Sequence, residues 1–233
     1  MGGSGSRFGS PLPKQFCRLI GVTPESPQIP LFAETLQTFL NEIDFDVVVL
    51  AVHSDYMQAV EFTEPLQWLK QRFPVEWVIT SGGDSRHHSF RKAFSELSRQ
   101  IHKDRQVDTF RVVVHDANRP FLTSDFLQRV AAELGGLSQE RPALIPVIPM
   151  ADSVVKIKND LVQEYSCREE LGRVQTPQLF WGPVMAQALG EAQEGFDYPD
   201  EGSFMLGQGF AVHTFPGDIK NRKITYRDEV EMI

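Results

Sequence analysis

Short runs of apolar residues, each about as long as one β-strand, constrain the fold of this chain most strongly. Residues 46–53 (DVVVLAVH) form one such run, and residues 110–115 (FRVVVH) and 143–147 (ALIPV) are similar. Continuous apolar runs are typical of strands buried on both faces, as in parallel sheets. Residues 75–80 predict a fourth strand.

Helical patterns lie between these runs. Residues 31–40 and 124–134 predict helices, the second with Ser124 as N-cap. Residues 85–101 predict a third, since their apolar positions follow a 3.6-residue period: Phe90, Ala93, Phe94, Leu97 and Ile101. The alternation predicts an α/β fold with a doubly wound, mostly parallel sheet, and residues 1–233 as a single domain.

Two stretches interrupt this alternation. Residues 21–30 (GVTPESPQIP) carry three prolines and predict a surface loop. Residues 149–172 follow a strand but alternate polar with apolar residues, which predicts a hairpin arm projecting from the domain.

The composition argues against several classes of protein, among them nucleic-acid-binding and membrane-spanning ones. The 233 residues are 41% hydrophobic, enough for one substantial core, and the formal charge of −8 argues against a nucleic-acid partner. The sequence has no apolar run of membrane-spanning length, and its first ten residues do not resemble a signal peptide. Cys17 and Cys167 have no CxxC partner, so we expect a reducing compartment, the cytoplasm, and no zinc.

The first candidate functional segment is residues 2–9 (GGSGSRFG), which is followed by Pro13, Lys14 and Gln15. Closely spaced glycines let backbone N–H groups approach phosphate oxygens, and Arg7 and Lys14 add positive charge. The alternative is a flexible tail. The spacing does not match a Walker loop.

The second segment, residues 81–89 (SGGDSRHHS), joins a strand to a helix, where ligands bind in open α/β sheets. The backbone of Gly82 and Gly83 and the side chains of Asp84 and Ser89 have groups suited to reading a base edge. The alternative is a simple helix cap. We expect His87 and His88 to be solvated, because adjacent helical residues point roughly 100° apart.

The third segment, residues 114–120 (VHDANRP), ends an apolar strand. Asp116 is placed to hold Mg²⁺ on a triphosphate, since Mg²⁺ prefers one or two carboxylates plus phosphate oxygens. Arg119 would face a second phosphate. The alternative is a structural aspartate that closes the turn after the strand.

The fourth segment, residues 217–225 (GDIKNRKIT), carries three basic residues in an acidic chain. A charge run of this kind is ordinarily a solvated surface. We assign it a binding function only if the fold places it beside the other basic residues.

Read in order, these segments resemble the family of 2-C-methyl-D-erythritol 4-phosphate cytidylyltransferases and their close relatives, the ribitol-5-phosphate cytidylyltransferases. The family pattern is GxGxRxG, PKQ, GGxxRxxS, VHDxxRP, D-S/T-x-x-K, an Arg before TPQ-F, a DE pair and N-x-K-I/V-T. This chain has all eight in order across nearly its whole length. The resemblance implies a Rossmann-like nucleotidyltransferase fold, a homodimer, and residues 149–172 as its dimerisation arm.

The resemblance also implies roles for single residues. Arg7, Lys14 and Lys223 are the implied catalytic cations on the reacting phosphates. The implied nucleotide-binding residues are Gly3, Gly5, Gly83, Asp84, Arg86 and Ser89. The implied substrate-binding residues are Asp116, Arg119, Ser153, Arg168 and Asp200, of which Asp116 also binds Mg²⁺ and Ser153 and Arg168 reach the partner subunit's site.

The implied reaction is attack by the phosphate of a sugar-alcohol phosphate on the α-phosphorus of CTP. A phosphate nucleophile is already anionic, so positioning and charge stabilisation suffice. Methylerythritol phosphate, for isoprenoid precursor synthesis, is the main hypothesis for the acceptor. Ribitol 5-phosphate is the alternative, and a catalytically weak nucleotide-binding protein is a third possibility.

The chain departs from the family pattern in three places. Pro199 stands where a Thr commonly precedes the DE pair, which bears on the acceptor, and residues 22–30 form an unusual proline-rich insertion. A glycine loop of this kind normally leaves the carboxyl end of a central strand. We therefore expect the natural protein to begin roughly five to ten residues upstream of Met1, with an apolar, β-branched strand.

Overall fold

The computed structural model describes residues 12–18, 29–104, 109–193 and 196–225. The helices in these ranges are α1 (Leu31–Glu42), α2 (Val60–Arg72), α3 (Arg86–Asp104), α4 (Ser124–Gly135), α5 (Gly182–Glu191) and α6 (Glu201–Gly207). The strands are β1 (Val47–Val52), β2 (Glu76–Ser81), β3 (Arg111–Val114), β4 (Ala143–Pro149), β5 (Val154–Lys158), β6 (Leu161–Ser166), β7 (Gly172–Val174), β8 (Gln178–Trp181) and β9 (Val212–Pro216). Every helix and strand predicted from the sequence is present, with ends within about three residues of the prediction.

The main sheet has the order β3, β8, β4, β7, and β9 also pairs with β4. Strand β8 is antiparallel to both β3 and β4, whereas β9 is parallel to β4. Strands β3, β4 and β9 therefore run in one direction. Strands β1 and β2 form a separate parallel pair.

Helices cover both faces of the main sheet. Leu179 and Phe180 are neighbours in β8, so their side chains point to opposite faces, and both are completely buried. Phe180 packs in a cluster with residues of α3, α5 and α6: Phe90, Phe94, Val184, Met185 and Phe204. Leu179 packs with residues of α1 and α4: Phe39, Phe126, Leu127 and Val130. Burial of each such large apolar side chain stabilises the fold by about 1.5–3 kcal/mol. Because helices pack on both faces of the sheet, the predicted doubly wound α/β class is confirmed.

A third cluster surrounds β1, and it is less complete. Phe32, Phe62 and Leu69 are buried against the carboxyl half of the strand. In β1 itself only Leu50 and Val52 are buried, and the first three valines are half-buried. The expectation of a strand buried on both faces is wrong for β1: Leu50 and Val52 point to one face and are buried, whereas Val47, Val49 and Ala51 on the other face line a cleft.

A hairpin leaves the main sheet at the end of β4. Strands β5 and β6 pair with each other, and the turn residues Asn159 and Asp160 have φ values of 51° and 62°, as tight hairpin turns require. Its large apolar side chains are exposed: Ile157, Leu161, Val162 and Tyr165. The hairpin lies within the arm predicted at residues 149–172, and its use in dimerisation stays a prediction.

Three further expectations from the sequence concern membrane-spanning helices, the loop at residues 21–30 and the number of domains. No helix in the described ranges is long and apolar enough to cross a bilayer. Residues 21–28 of the loop predicted at residues 21–30 lie outside those ranges. The assignment of residues 1–233 to one domain stays a prediction.

Candidate active site

A cleft of about 1330 Å³ extends to the carboxyl ends of β1, β2 and β3. Strand ends of this kind form the ligand crevice of open α/β sheets. Seven residues predicted for the site line it: Lys14, Gly83, Asp84, Arg86, Ser89, Asp116 and Lys223. Gly3, Gly5 and Arg7 lie outside the described residues.

Asp116 is the centre of the charged groups in the cleft. Its Oδ1 accepts a hydrogen bond from Arg86 Nε at 3.2 Å, and its Oδ2 accepts one from Lys223 Nζ at 2.8 Å. Arg119 Nε lies 3.6 Å from Oδ2. Three cations from separate parts of the chain therefore converge on one carboxylate.

These cations control the ionisation of Asp116. Burial on its own would raise the pKa of this carboxyl, but Lys223 and Arg86 lower it by more. The pKa of Asp116 consequently lies well below its ordinary value, and the carboxylate stays charged at neutral pH. The role of Asp116 in holding Mg²⁺ stays a prediction.

Glu201 is a site residue that the sequence did not single out. It begins α6, its side chain is fully buried, and its Oε1 accepts a hydrogen bond from Arg86 Nη1 at 2.6 Å. Burial raises the pKa of Glu201, and Arg86 opposes that rise. In turn, Glu201 and Asp116 raise the pKa of Arg86 above its already high value, although burial lowers it. Arg86 is thus a fixed, charged bridge between two acidic groups.

The basic segment at residues 217–225 meets the other cations. Asn118 Nδ2 donates to the carbonyl of Ile224 at 2.6 Å, and the Ile224 N–H donates back to the carbonyl of Asn118 at 2.9 Å. Asn221 is completely buried, and its Nδ2 donates to the carbonyl of Thr176 at 2.7 Å. These bonds hold the backbone on both sides of Lys223, so this part of the segment is not a solvated charge run.

His115 supports Asp116 from the interior. Nε2 of His115 lies 3.2 Å from the carbonyl of Arg119, which can only accept, so Nε2 carries the ring proton and donates it there. In the neutral ring Nδ1 then accepts from the Thr176 hydroxyl at 3.0 Å, and Thr176 Oγ1 itself accepts from the backbone N–H of Asp116 at 3.1 Å. Burial lowers the pKa of His115 to about 4, which keeps the ring neutral in this arrangement.

The glycine turn before α3 is shaped by Ser89. The N–H of Gly83 donates to Ser89 Oγ at 3.0 Å, and that hydroxyl donates to the carbonyl of Ser85 at 2.9 Å. A Cβ at Gly83 would lie 2.6 Å from the Cβ of His88, so only glycine fits. Ser89 therefore fixes the turn, while Asp84 is exposed at the cleft.

The expectation that both histidines of α3 are solvated is wrong for His87. Its ring is 2% exposed and packs 5.0 Å from the ring of Phe204 and 5.3 Å from that of Tyr198. Burial lowers its pKa. His87 lies on the helix face that packs against α6, whereas His88 is exposed. No part of the chain that the structure describes groups three or more metal-ligating side chains.

Four predicted residues do not line the cleft. Arg119 is buried behind Asp116 and donates from Nη1 to the carbonyl of Asn221 at 3.0 Å. Asp200 is the N-cap of α6 and accepts from the Ser203 N–H at 2.7 Å. Ser153 and Arg168 lie exposed at the base of the hairpin, where Arg168 Nη1 donates to the carbonyl of Ala151 at 3.2 Å.

The donor set suits a magnesium–triphosphate pair. Asp116 is ionised, lines the cleft, and its Oδ1 accepts one hydrogen bond from Arg86, which leaves a lone pair available. Mg²⁺ needs few protein ligands when phosphate oxygens complete its shell. One carboxylate among cations is therefore sufficient, provided that the phosphates arrive with the metal.

The model of the 2-C-methyl-D-erythritol 4-phosphate cytidylyltransferase family (IspD) matches residues 1–232. The enzyme of that name from Carboxydothermus hydrogenoformans is 31% identical over 234 residues, which cover 99% of this chain and 89% of the relative. The bifunctional enzyme IspD/IspF of Solidesulfovibrio magneticus is 32% identical over 203 residues, covering 86% of this chain and 48% of the relative. The chain spans about half of that bifunctional protein and nearly all of the Carboxydothermus one.

A solved structure of 4-diphosphocytidyl-2C-methyl-D-erythritol synthase is similar in fold. Its TM-score is 0.73 at 23% sequence identity, covering 94% of this chain and 92% of that one. At this identity the likeness concerns the fold, and it agrees with the nucleotidyltransferase architecture expected from the sequence.

Proposed function

Because the chain belongs to the 2-C-methyl-D-erythritol 4-phosphate cytidylyltransferase family, we propose that it transfers the cytidylyl group of CTP to 2-C-methyl-D-erythritol 4-phosphate. Family membership makes it a nucleotidyltransferase and favours the main hypothesis over ribitol 5-phosphate and over a binding-only protein. The products are 4-diphosphocytidyl-2-C-methylerythritol and pyrophosphate.

The convergence of Arg86, Arg119 and Lys223 on Asp116 carries this proposal. With Glu201, the five groups hold three positive and two negative charges, and Lys14 lines the same cleft. Such a surplus suits a triphosphate and a phosphate monoester meeting in one place. A phosphate oxygen of the acceptor attacks the α-phosphorus, and the bond from that phosphorus to the bridging oxygen of pyrophosphate breaks.

The cations differ in how firmly they are held. Arg86 is fixed between two carboxylates, so it can orient phosphate groups without moving. The side chain of Lys223 is 41% exposed and makes its ion pair with Asp116 alone among described acidic groups. We propose that Lys223, with Arg7 and Lys14, meets the charge that develops on the reacting phosphate.

The nucleotide is proposed to bind at the glycine turn. The Gly83 backbone, Asp84 and Ser89 would contact the cytosine and ribose, with Ser89 acting through the turn that it fixes. Gly3 and Gly5 are proposed to approach the triphosphate. Mg²⁺, held by Asp116 and phosphate oxygens, would supply further neutralisation of the triphosphate when bound.

We also propose a homodimer in which the hairpin of β5 and β6 packs on a second copy. The exposed apolar side chains of the hairpin support this, since tyrosine and branched aliphatic residues at these positions suit a protein contact. Ser153 and Arg168 at the hairpin base would then reach the partner subunit's cleft. A cytoplasmic location is proposed because both cysteines, Cys17 and Cys167, are unpaired.

The experiment is a product assay with CTP and each acceptor, with and without Mg²⁺. We expect a cytidine diphosphate-linked product and pyrophosphate from methylerythritol phosphate, dependent on Mg²⁺, and loss of the Mg²⁺ response in Asp116→Ala. Use of ribitol 5-phosphate with a kcat/KM at least about tenfold higher would reverse the acceptor assignment. Reaction with neither acceptor would favour a binding-only protein.

A further inference from the structure

Lys223 lies in a segment that has no regular secondary structure of its own. Residues 217–225, which the structure describes throughout, follow β9 and form neither helix nor strand. The Lys223 ammonium nevertheless lies 2.8 Å from Asp116 Oδ2. Without a helix or a strand ladder, the polar backbone groups of such a segment need partners from other parts of the chain. Those partners therefore determine where this cation stands in the cleft.

Gln175 holds the middle of this segment with its side-chain amide. It lies between β7 and β8 and is 4% exposed. Its Nε2 donates to the carbonyl of Asp218 at 2.8 Å and to the carbonyl of Asn221 at 2.9 Å. Its Oε1 accepts from the Asp218 N–H at 3.0 Å. Three of the four hydrogen bonds that a glutamine amide can make thus go to the backbone of two residues.

The surroundings of Gln175 leave its amide one orientation. Two carbonyls face the nitrogen and one N–H faces the oxygen, so a reversed amide would place oxygen against oxygen. A Cβ at Gly217 would lie 2.5 Å from Gln175 Oε1, so the backbone of the segment packs directly on the amide. The carbonyl of Asn221 also accepts from Arg119 Nη1 at 3.0 Å. Two buried side chains therefore fix the same peptide group, two residues before Lys223.

The residue after Gln175 holds the other half of the ion pair. Thr176 Oγ1 accepts from the backbone N–H of Asp116 at 3.1 Å, and the carbonyl of Thr176 accepts from Asn221 Nδ2 at 2.7 Å. Residues 175 and 176 thus bind both the segment that carries Lys223 and the backbone that carries its acidic partner. Two adjacent residues therefore set the spacing between the Lys223 ammonium and the Asp116 carboxylate.

We propose that Gln175 is a positioning residue for the reaction and that it acts through Lys223. It is buried and does not line the cleft, so it does not itself touch a substrate. Its amide holds the backbone so that the Lys223 ammonium is in place before the phosphate groups bind, and charge stabilisation depends on such preorganisation. This role deepens the proposed function and rests on it, since Lys223 is assigned there to the reacting phosphate.

The test removes the amide and keeps the length of the side chain. Gln175→Met is unbranched and similar in size, but it has neither the two N–H donors nor the amide oxygen. Gln187→Met, at an exposed position of α5, is the matched control. Met185→Ala, in the buried core, is a second control that lowers stability away from the segment. Gln175→Met is also combined with Lys223→Ala, and steady-state kinetics of pyrophosphate release is measured for every variant.

We expect Gln175→Met to lower kcat by about tenfold and to change the KM for CTP by less than about threefold. In the Lys223→Ala background the same substitution should lower kcat by no more than about twofold, because the ammonium that it displaces is absent. Both controls should stay within about twofold of the unmodified enzyme at a temperature where all the proteins are folded. Equal losses with and without Lys223, or an equal loss in Met185→Ala, would overturn the proposal.

Binding of pyrophosphate in the presence of Mg²⁺ separates this role from the reaction itself. We expect its affinity, measured by calorimetry, to fall about fivefold in Gln175→Met and to change little when Lys223→Ala is already present. A protein that reacts with neither acceptor but shows this pattern contradicts the proposed function and leaves the role of Gln175 standing. Normal turnover and normal pyrophosphate affinity in Gln175→Met overturn the role of Gln175 alone. An unmodified chain that neither reacts nor binds pyrophosphate overturns both.

A milder variant covers the case in which Gln175→Met does not fold. Gln175→Asn keeps the amide, but it is one carbon shorter and cannot reach all three backbone groups. We expect it to lower kcat by about threefold, again with little effect in the Lys223→Ala background. A loss that is the same in both backgrounds would overturn the proposal here too.

Discussion

Arg86 Nη1 donates to Glu201 Oε1 over 2.6 Å, although the two residues are 115 positions apart in the chain. The Glu201 side chain is fully buried, and Arg86 also bonds Asp116, so one guanidinium joins the start of α3, the end of β3 and the start of α6. The geometry of the candidate site depends on this bridge as much as on the residues that line the cleft.

Removing the Glu201 carboxylate should destabilise the protein. We expect Glu201→Ala to lower the free energy of unfolding by about 3 kcal/mol, because it opens a cavity at a fully buried position and removes one of two carboxylate partners of Arg86, whose side chain is 31% exposed. Glu201→Gln retains an acceptor and should cost about 1–3 kcal/mol. Urea unfolding measures both, and Glu64→Gln on the exposed face of α2 is the control. Equal stability of Glu201→Ala and the control would refute the bridge.

Lys223 and Lys220 form a matched pair for testing the proposed charge stabilisation. Both are lysines of the same segment, but Lys223 contacts Asp116 and lines the cleft, whereas Lys220 is exposed outside it. We expect Lys223→Ala to reduce kcat by roughly 100-fold, and Lys220→Ala to stay within about twofold of the unmodified enzyme. Steady-state kinetics of pyrophosphate release measures both. A similar loss in the two variants would mean that only general positive charge matters.

His115 should make stability depend on pH. The unfolded chain binds a proton at this ring below about pH 6.5, whereas the folded protein resists protonation until about pH 4. Its contribution is complete above pH 6.5 and is lost as the pH falls toward 4, amounting to about 3 kcal/mol. We expect His115→Gln, which cannot titrate, to show a flatter profile in urea unfolding between pH 7 and 4. Parallel profiles for the two proteins would show that other groups cause the slope.

The proposed dimer makes a prediction about mixtures of inactive variants. Lys14→Ala damages the cleft and Arg168→Ala damages the arm, which should impair acceptor use more than CTP binding. If each site combines one cleft with the partner's arm, a mixed dimer keeps one intact site. Random exchange should then restore about a quarter of the normal activity. A monomer in light scattering with full activity, or no recovery after subunit exchange, would remove the basis for a shared site.

The parts of the fold that the sequence predicted are those with a strong local signal. Strands β1, β3 and β4 are runs of branched apolar residues, and α3 and α4 have regular apolar stripes. Strand β8 has four residues, too few to show a period. Helix α2 buries one face with Phe62, Leu66 and Leu69, but Pro65 lies within it and argues locally against a helix, so packing of that face against other elements determines it.

The candidate site was predictable in its motifs but not in its connections. Asp116, Arg86 and Lys223 belong to segments that the sequence singled out, and the structure brings them together. Glu201 follows Asp200, and nothing local distinguishes the capping residue from the one that turns into the cleft. His87 is similar, since its burial depends on Tyr198 and Phe204, more than a hundred residues away.

The reciprocal hydrogen bonds between Asn118 and Ile224 have a consequence for the order in which the protein folds. The two residues are 106 positions apart in the chain, and Lys223 reaches Asp116 over 107 positions. Contacts of such large sequence separation form only when distant segments have come together, because closing a long loop costs entropy. The cleft therefore gains the Lys223 ammonium late in folding, and a partly folded chain has fewer cations for phosphate groups than the native protein.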